Sequence, residues 1–205
     1  MEITAVEPRR RSFTQLFIDG EAAVKIDTET FIRSGLKPGD QISDEDLHNL
    51  IKASDTRRAN EKALYLLEHR SHSKKELADK IARTAASKEA AKAAAEHMEE
   101  LGLINDETYA RDFARELFTR KRFGPMRVRQ ELRQKGIDSV LIDELLDEYS
   151  SEEIFEENIS SILSRKYPGW YEDEKIRRRV FAALQRMGYS FSQIKAGMKG
   201  DPDEW

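Results

Sequence analysis

The side chains here best suited to chemistry are four histidines and the triplets of adjacent cations at 120–122 and 177–179. Histidines sharing a helix face can ligate a metal ion or move protons near neutral pH. His69 and His72 stand at i, i+3, whereas His48 and His97 are isolated. No His-Glu-x-x-His or comparable ligand set accompanies them, so each reads as a structural or surface residue. The absence of cysteine excludes disulfides, thiolate metal sites and thiol catalysis. Gly35-Leu36-Lys37-Pro38-Gly39 lacks the Lys-Ser/Thr pair that completes a phosphate-binding loop, so nucleotide hydrolysis would have to come from a partner. No catalytic residue, cofactor or metal is expected.

The cation runs point to binding instead. Three adjacent cations splay around a helix and are not neutralised by one i, i+4 bridge, so Arg120-Lys121-Arg122 and Arg177-Arg178-Arg179 call for a charged partner. Arg111, Arg115, Arg127, Arg129, Arg133 and Lys135 extend the first run, and Arg165 and Lys166 precede the second. These fourteen residues are the candidate partner-binding set. Between the two basic segments, 138–157 carries nine acids and no base. A net charge of only −4 therefore hides alternating segments, as expected of a chain that reads a patterned charged surface. The bland reading is solvated helix faces with local pairs, such as Glu116 with Arg120, and Asp143, Glu144, Asp147 and Glu148 lying opposite an apolar stripe. Phe118 and Phe123 flank the first run, and Tyr167, Trp170 and Tyr171 lie near the second. They read as inter-helix packing, with an interface anchor as the alternative.

These side chains must be carried by helices. A unit of about 45 residues occurs three times, opening near Ala59, Asp106 and Ser151, each as three short amphipathic helices. In the second unit Tyr109, Phe113 and Leu117, then Val128 and Leu132, then Ile142, Leu145, Leu146 and Tyr149 recur at helical spacing. The third repeats the layout with Phe155, Ile159, Ile162 and Leu163, then Ile176, Val180 and Leu184, then Phe191, Ile194 and Met198. Gly136 and Gly188 follow Leu132 and Leu184 at the same distance and suit the left-handed position past a helix end; in the first unit Gly102 follows the third helix. Ser73/Glu76, Ser150/Glu153 and Ser190/Gln193 fit the Ser-x-x-Glu/Gln capping box.

The N-terminal portion differs in kind. Asp19-Gly20 between apolar flanks is a hairpin signal, and residues 12 to about 42 read as a small β element joined to the repeats by a helix over 44–54. The expected fold is thus mainly α: tandem three-helix units forming an elongated, curved protein with a small N-terminal β-hairpin. The expected divisions are 1–54, 55–105, 106–150, 151–200, and a frayed tail at 201–205. A chain of 205 residues, 39% apolar and 36% charged, suits thin helical modules with much solvated surface. No apolar run approaches a membrane span of about 18 residues, and no secretory stretch opens the chain, so a cytoplasmic protein is expected.

Several segments together resemble the RecX family of recombination regulators. They are Ala63-Leu64-Tyr65-Leu66-Leu67, Arg70-Ser71-His72-Ser73-Lys74-Lys75-Glu76-Leu77, the run from Leu101 to Ala110 (LGLINDETYA), and the stretch ending Glu131-Leu132-Arg133-Gln134-Lys135-Gly136. The resemblance covers roughly residues 58–199. It implies a noncatalytic, monomeric regulator that binds the RecA recombinase filament on single-stranded DNA and inhibits its recombination and ATPase activity, in DNA repair and the SOS response. It also implies weak direct contact with DNA and no membrane association. The alternative is a helix-turn-helix transcription regulator, reading Ser73 to Ile81, a second helix to Met98, and Leu101-Gly102-Leu103-Ile104 as a wing entry. Against it, the would-be recognition helix from Ser87 is mostly alanine, with only Lys88 and Lys92 early on, where base reading wants Arg, Asn or Gln.

Overall fold

In a computed structural model, residues 1–149 and 151–198 are described. The chain divides into two compact units, Met1–Ile104 and Asn105–Trp205. The first unit opens with three antiparallel strands in sequential order, β1 (Ile3–Arg9), β2 (Phe13–Ile18) and β3 (Glu21–Asp27). Asp19 and Gly20 both take positive φ, 50° and 88°, as a two-residue turn between β2 and β3 demands. The expected hairpin is therefore a three-stranded sheet, because β1 precedes the segment read as β. Its connection to β2 turns at Arg11 and Ser12, also at positive φ.

A short helix, α1 (Thr28–Ser34), follows directly on β3. Buried Asp27 caps it, accepting from the Thr30 amide at 3.0 Å, and forms an ion pair with Arg57 at 3.0 Å. The Asp27 amide in turn donates to Ser54 Oγ at 2.7 Å. Arg57 and Ser54 belong to α2 (Asp44–His69), which continues well past the expected end at residue 54. Its first half covers the sheet with Leu50 over Ile3, Leu16, Ile26 and Ile42. Its second half offers Ala59 and Ala63 to α3 (Lys74–Ile81) and α4 (Lys88–Glu100). α4 answers with Ala91, Ala94, Ala95 and Met98 at i, i+3, i+4, i+7, so the helices close on small side chains.

The second unit holds α5 (Asp106–Thr119), α6 (Pro125–Gln134), α7 (Ser139–Glu148), α8 (Glu152–Lys166), α9 (Glu174–Arg186) and α10 (Phe191–Gly197) around one continuous core. That core joins Leu117, Val128, Leu132, Ile142 and Leu145 to Ile159, Ile162, Val180, Leu184 and Ile194. On α5 the buried positions are Ala110, Ala114, Leu117 and Phe118, while Tyr109 and Phe113 are only half-buried. Ile176 and Phe191, expected in the core, are 43% and 61% exposed; Tyr189 takes a core place instead at 1%.

Three helices end alike. After α4, α6 and α9 the chain turns through Gly102, Gly136 and Gly188, and the next amide returns to the carbonyl of Met98, Leu132 or Leu184 at 2.9, 3.2 and 3.3 Å. This is the Schellman arrangement, which satisfies carbonyls left over at a helix end. At the starts, Ser73 accepts from the Glu76 amide, and Ser190 and Gln193 form a complete reciprocal box. The cap of α8 is Ser151, accepting from Ile154 at 3.1 Å, one residue later than expected. Ser150 and the expected tail at 201–205 lie outside the described residues.

Candidate binding surface

The second unit carries all fourteen candidate cations, and its helices decide which are still available. Arg111 on α5 is bonded to Glu148 of α7 at 2.7 Å and to Glu107 at 3.2 Å, and these bonds hold its proton more firmly still. Arg129 on α6 pairs with Asp143 of α7. The acidic face of α7 thus neutralises cations of both preceding helices, so charge blocks that are segregated along the chain meet in space. Arg115 pairs with Asp112, Arg127 with Glu131 at 2.6 Å, and Arg178 with Glu174. Glu116 pairs with Lys121 at 4.0 Å rather than with Arg120. Lys121 and Lys135 both lie over the Phe113 ring, at 5.9 and 5.6 Å. Arg177 donates to the Tyr171 carbonyl at 3.2 Å.

Six of the fourteen have no carboxylate partner among the described residues: Arg120, Arg122, Arg133, Arg165, Lys166 and Arg179. Arg133 belongs to an outward stripe of α6, with Met126, Arg129 and Gln130, that lines a shallow open depression. Met126 is 66% exposed at its edge, an apolar side chain ringed by arginines. Sequence reasoning did not single out Met126 or Gln130, although their i, i+3, i+4, i+7 spacing with Arg129 and Arg133 was available.

The Arg120–Arg122 corner is held by the end of α9 and the turn that follows it. Arg122 sits at φ 52°, and its carbonyl accepts from the Tyr189 hydroxyl at 2.8 Å. Burial raises the Tyr189 pKa, keeping that donor protonated, against a smaller opposing pull from Arg122. Next to it, the amides of Gly124 and Met126, at the start of α6, donate to the carbonyls of Met187 and Gly188, at the end of α9, at 2.8 and 3.1 Å. α6 has no side-chain cap because backbone from α9 supplies the acceptors. The two chains approach so closely that a Cβ on Gly124 would lie 2.4 Å from the Gly188 carbonyl carbon.

Aromatic residues near the cations divide by burial. Phe118 is core, stacked on Tyr149 with centroids 4.9 Å apart. Phe123 is half-buried under Arg127, and Trp170 is half-buried against the core. Tyr171, edge-on to Trp170, is 61% exposed. The histidines do not cluster, and among the described residues no three His, Asp or Glu side chains are placed to share a metal. His72 is buried, with Nδ1 bonded to the Arg70 carbonyl at 2.8 Å and Nε2 to Lys80 at 2.9 Å. Among the described residues no helix is long and apolar enough to cross a membrane.

Residues 105–146, which hold α5, α6 and most of α7, match the family model described as the RecX second three-helix domain. The regulatory protein RecX of Caldanaerobacter subterraneus subsp. tengcongensis is 30% identical over 186 residues, spanning 88% of this chain and 92% of that protein. RecX of Stenotrophomonas maltophilia is 32% identical over 145 residues, 70% of this chain and 87% of that protein. A crystal structure titled regulatory protein RecX superimposes with a TM-score of 0.65 at 22% identity, covering 95% of this chain and 98% of that one. RecX from Lactobacillus salivarius gives 0.60 at 22% identity over 71% of this chain and 95% of its own. The shared length, the matching three-helix domain and the common fold agree: this chain belongs to the RecX family of regulatory proteins.

Proposed function

We propose that this chain binds the RecA recombinase filament on single-stranded DNA and restrains its recombination and ATPase activity, acting in the cytoplasm as a noncatalytic monomer in DNA repair and the SOS response. The observation that carries the reading is the set of six cations without carboxylate partners among the described residues, spread over the α5–α6 corner and the helices α6, α8 and α9. Cations unneutralised within their own unit raise the local potential and favour a polyanionic or acidic partner surface. Spread over several helices of one rigid core, they suit a partner that presents repeated charge better than a single small ligand. The nucleotide chemistry is the filament's, and this chain's part is to occupy its surface.

The helix-turn-helix alternative fits less well. Ala91, Ala94 and Ala95 of α4 face the core, and its exposed Lys92 is paired with Glu96 at 3.5 Å.

Cosedimentation with preformed RecA filaments, beside the same DNA without RecA, tests the reading. Binding only when the filament is present is expected. The combined change Arg120→Ala, Lys121→Ala and Arg122→Asn should weaken filament binding at about 0.15 M salt and flatten its salt dependence, with helicity retained. Asparagine is chosen at 122 because it tolerates the left-handed backbone there. Filament binding unchanged at low salt would exclude that corner, and binding to bare DNA alone would bring the transcription-regulator reading forward.

A further inference from the structure

The strongest cation cluster outside the fourteen is at the tip of the N-terminal sheet. We propose that Arg10 and Arg11, with Arg58 behind them, form a second contact point that binds the phosphate backbone of single-stranded DNA. The inference rests on the filament reading only for where that DNA would be met; its chemistry stands apart.

Arg9-Arg10-Arg11 runs across the β1–β2 connection, where all three are exposed. Arg9 is bonded to Glu7 at 2.7 Å. Arg10 and Arg11 have no carboxylate partner among the described residues. Two carboxylates at that end of the sheet and the start of α1 are already engaged: Asp27 and Glu29 hold Arg57, and Glu29 also holds Arg33. Arg58 lies over the Phe13 ring, 3.8 Å from its centroid, with Asp55 near enough to feel its charge. Burial raises the Asp55 pKa, and Arg58 pulls it back.

The turn is not a floppy loop. Arg11 and Ser12 hold φ of 62° and 59°, and the Ser12 carbonyl accepts from the Thr28 amide at 2.9 Å, tying the tip to the start of α1. Guanidinium groups on a held turn lose less freedom on binding than the same groups on a mobile tail. Arginine also presents a planar fork that matches phosphate oxygens, which a lysine would not.

The acidic net charge does not oppose this, because the sheet is polarised along its strands. Antiparallel pairing puts Arg9 opposite Phe13 at one end, and Ile3 opposite Ile18 at the other. Glu2, Asp19 and Glu21 gather at that far end, where the Glu2 amide bonds Asp19 at 2.8 Å. Six strand residues span about 20 Å, more than twice the Debye length of about 8 Å at physiological salt, so the acids there barely screen the tip.

The test uses the full chain with a labelled oligothymidylate and, separately, with preformed filaments, across a salt series. Arg10→Gln combined with Arg11→Asn is compared with the unmodified chain, and Arg10→Gln alone is the second variant, since position 10 carries no left-handed backbone. Melting curves confirm that both fold. Each lost phosphate contact lowers the slope of log affinity against log salt by about 0.7, so a fall of about 1.4 and roughly tenfold weaker oligonucleotide binding at low salt are expected of the double variant. Unchanged affinity and slope, or no binding by the unmodified chain at low salt, would overturn the proposal. Loss of filament binding with oligonucleotide binding intact would also overturn it, by assigning the tip to protein. If the unmodified chain ignores filaments yet the oligonucleotide slope still falls, the filament reading fails and this inference stands.

Discussion

The α2–α4 set and the α5–α10 core share a helix layout and the same glycine-turned helix end, yet they close by opposite means. The first brings helices together on alanine, with Ala59 and Ala63 meeting Ala91, Ala94 and Ala95. The second fills its interior with Phe118, Phe155 and Tyr189 among branched aliphatics. It then fastens α6 to α9 through backbone alone, where Gly124 meets Gly188. The repeated layout therefore leaves the packing chemistry free. What it fixes is where each set is fragile: the first to any added volume, the second to a single Cβ at the junction.

Gly188→Ala should produce the largest effect. Its φ of 94° disfavours any side chain, and a Cβ there would lie 2.3 Å from the Arg127 backbone nitrogen, which cannot swing away. A loss of about 3 kcal/mol is expected from strain and forced separation of α6 from α9. Trp170 packs against the core of the second unit and residues 1–104 hold no tryptophan, so tryptophan fluorescence follows the second unit while far-UV circular dichroism follows both. The fluorescence transition should drop well ahead of part of the dichroism transition. Coincident loss of both signals would dissolve the distinction between the two units.

Ala94→Leu tests the other side of the comparison. Ala94 is 1% exposed among four other alanines, so a leucine there must push α4 away from its neighbours. Overpacking of this kind costs about 2 kcal/mol. The dichroism transition should shift while tryptophan fluorescence stays put. Full tolerance of leucine would mean that the alanines are not a close-packed seam, which would remove the contrast.

How much of this was legible in the sequence follows from the same contrast. Helices α5 to α10 were readable because large apolar residues mark their inward faces and glycines mark two of their ends. The stripe of Tyr109, Phe113 and Leu117 on α5 does pack on the core, but the more deeply buried Ala110 and Ala114 went unread because they do not register as hydrophobic anchors. The same blindness hid the continuity of α2: its inward face past Leu50 is Ser54, Ala59 and Ala63. β1 was missed because its turn uses Arg11 and Ser12 at positive φ, where sequence rules look for Asn or Gly. The cation set was visible as types but not as availability. Pairing of Arg111 with Glu148 and of Arg129 with Asp143 joins residues far apart in the chain, and only the fold brings them together.

The smallest expected effect separates the units by pH. All four histidines precede residue 105, so any effect of histidine is confined to the first unit. Of the four, His72 is the buried one. Burial lowers its pKa below the ordinary 6.5, and nearby Arg70 and Lys80 add to the effect, while its bond to the Arg70 carbonyl and the charge of Glu76 oppose it. The unfolded chain then binds the proton more readily than the folded one, so the stabilising contribution is complete above about pH 6.5 and is lost as pH falls toward the depressed value. Melting of the first unit should therefore decline as pH falls below about 6.5, and His72→Gln should flatten that decline even if it lowers stability at neutral pH. The tryptophan-reported transition of the second unit should change less over the same interval. An equal decline in the variant would place the acid sensitivity on other groups and take the pH difference away from His72.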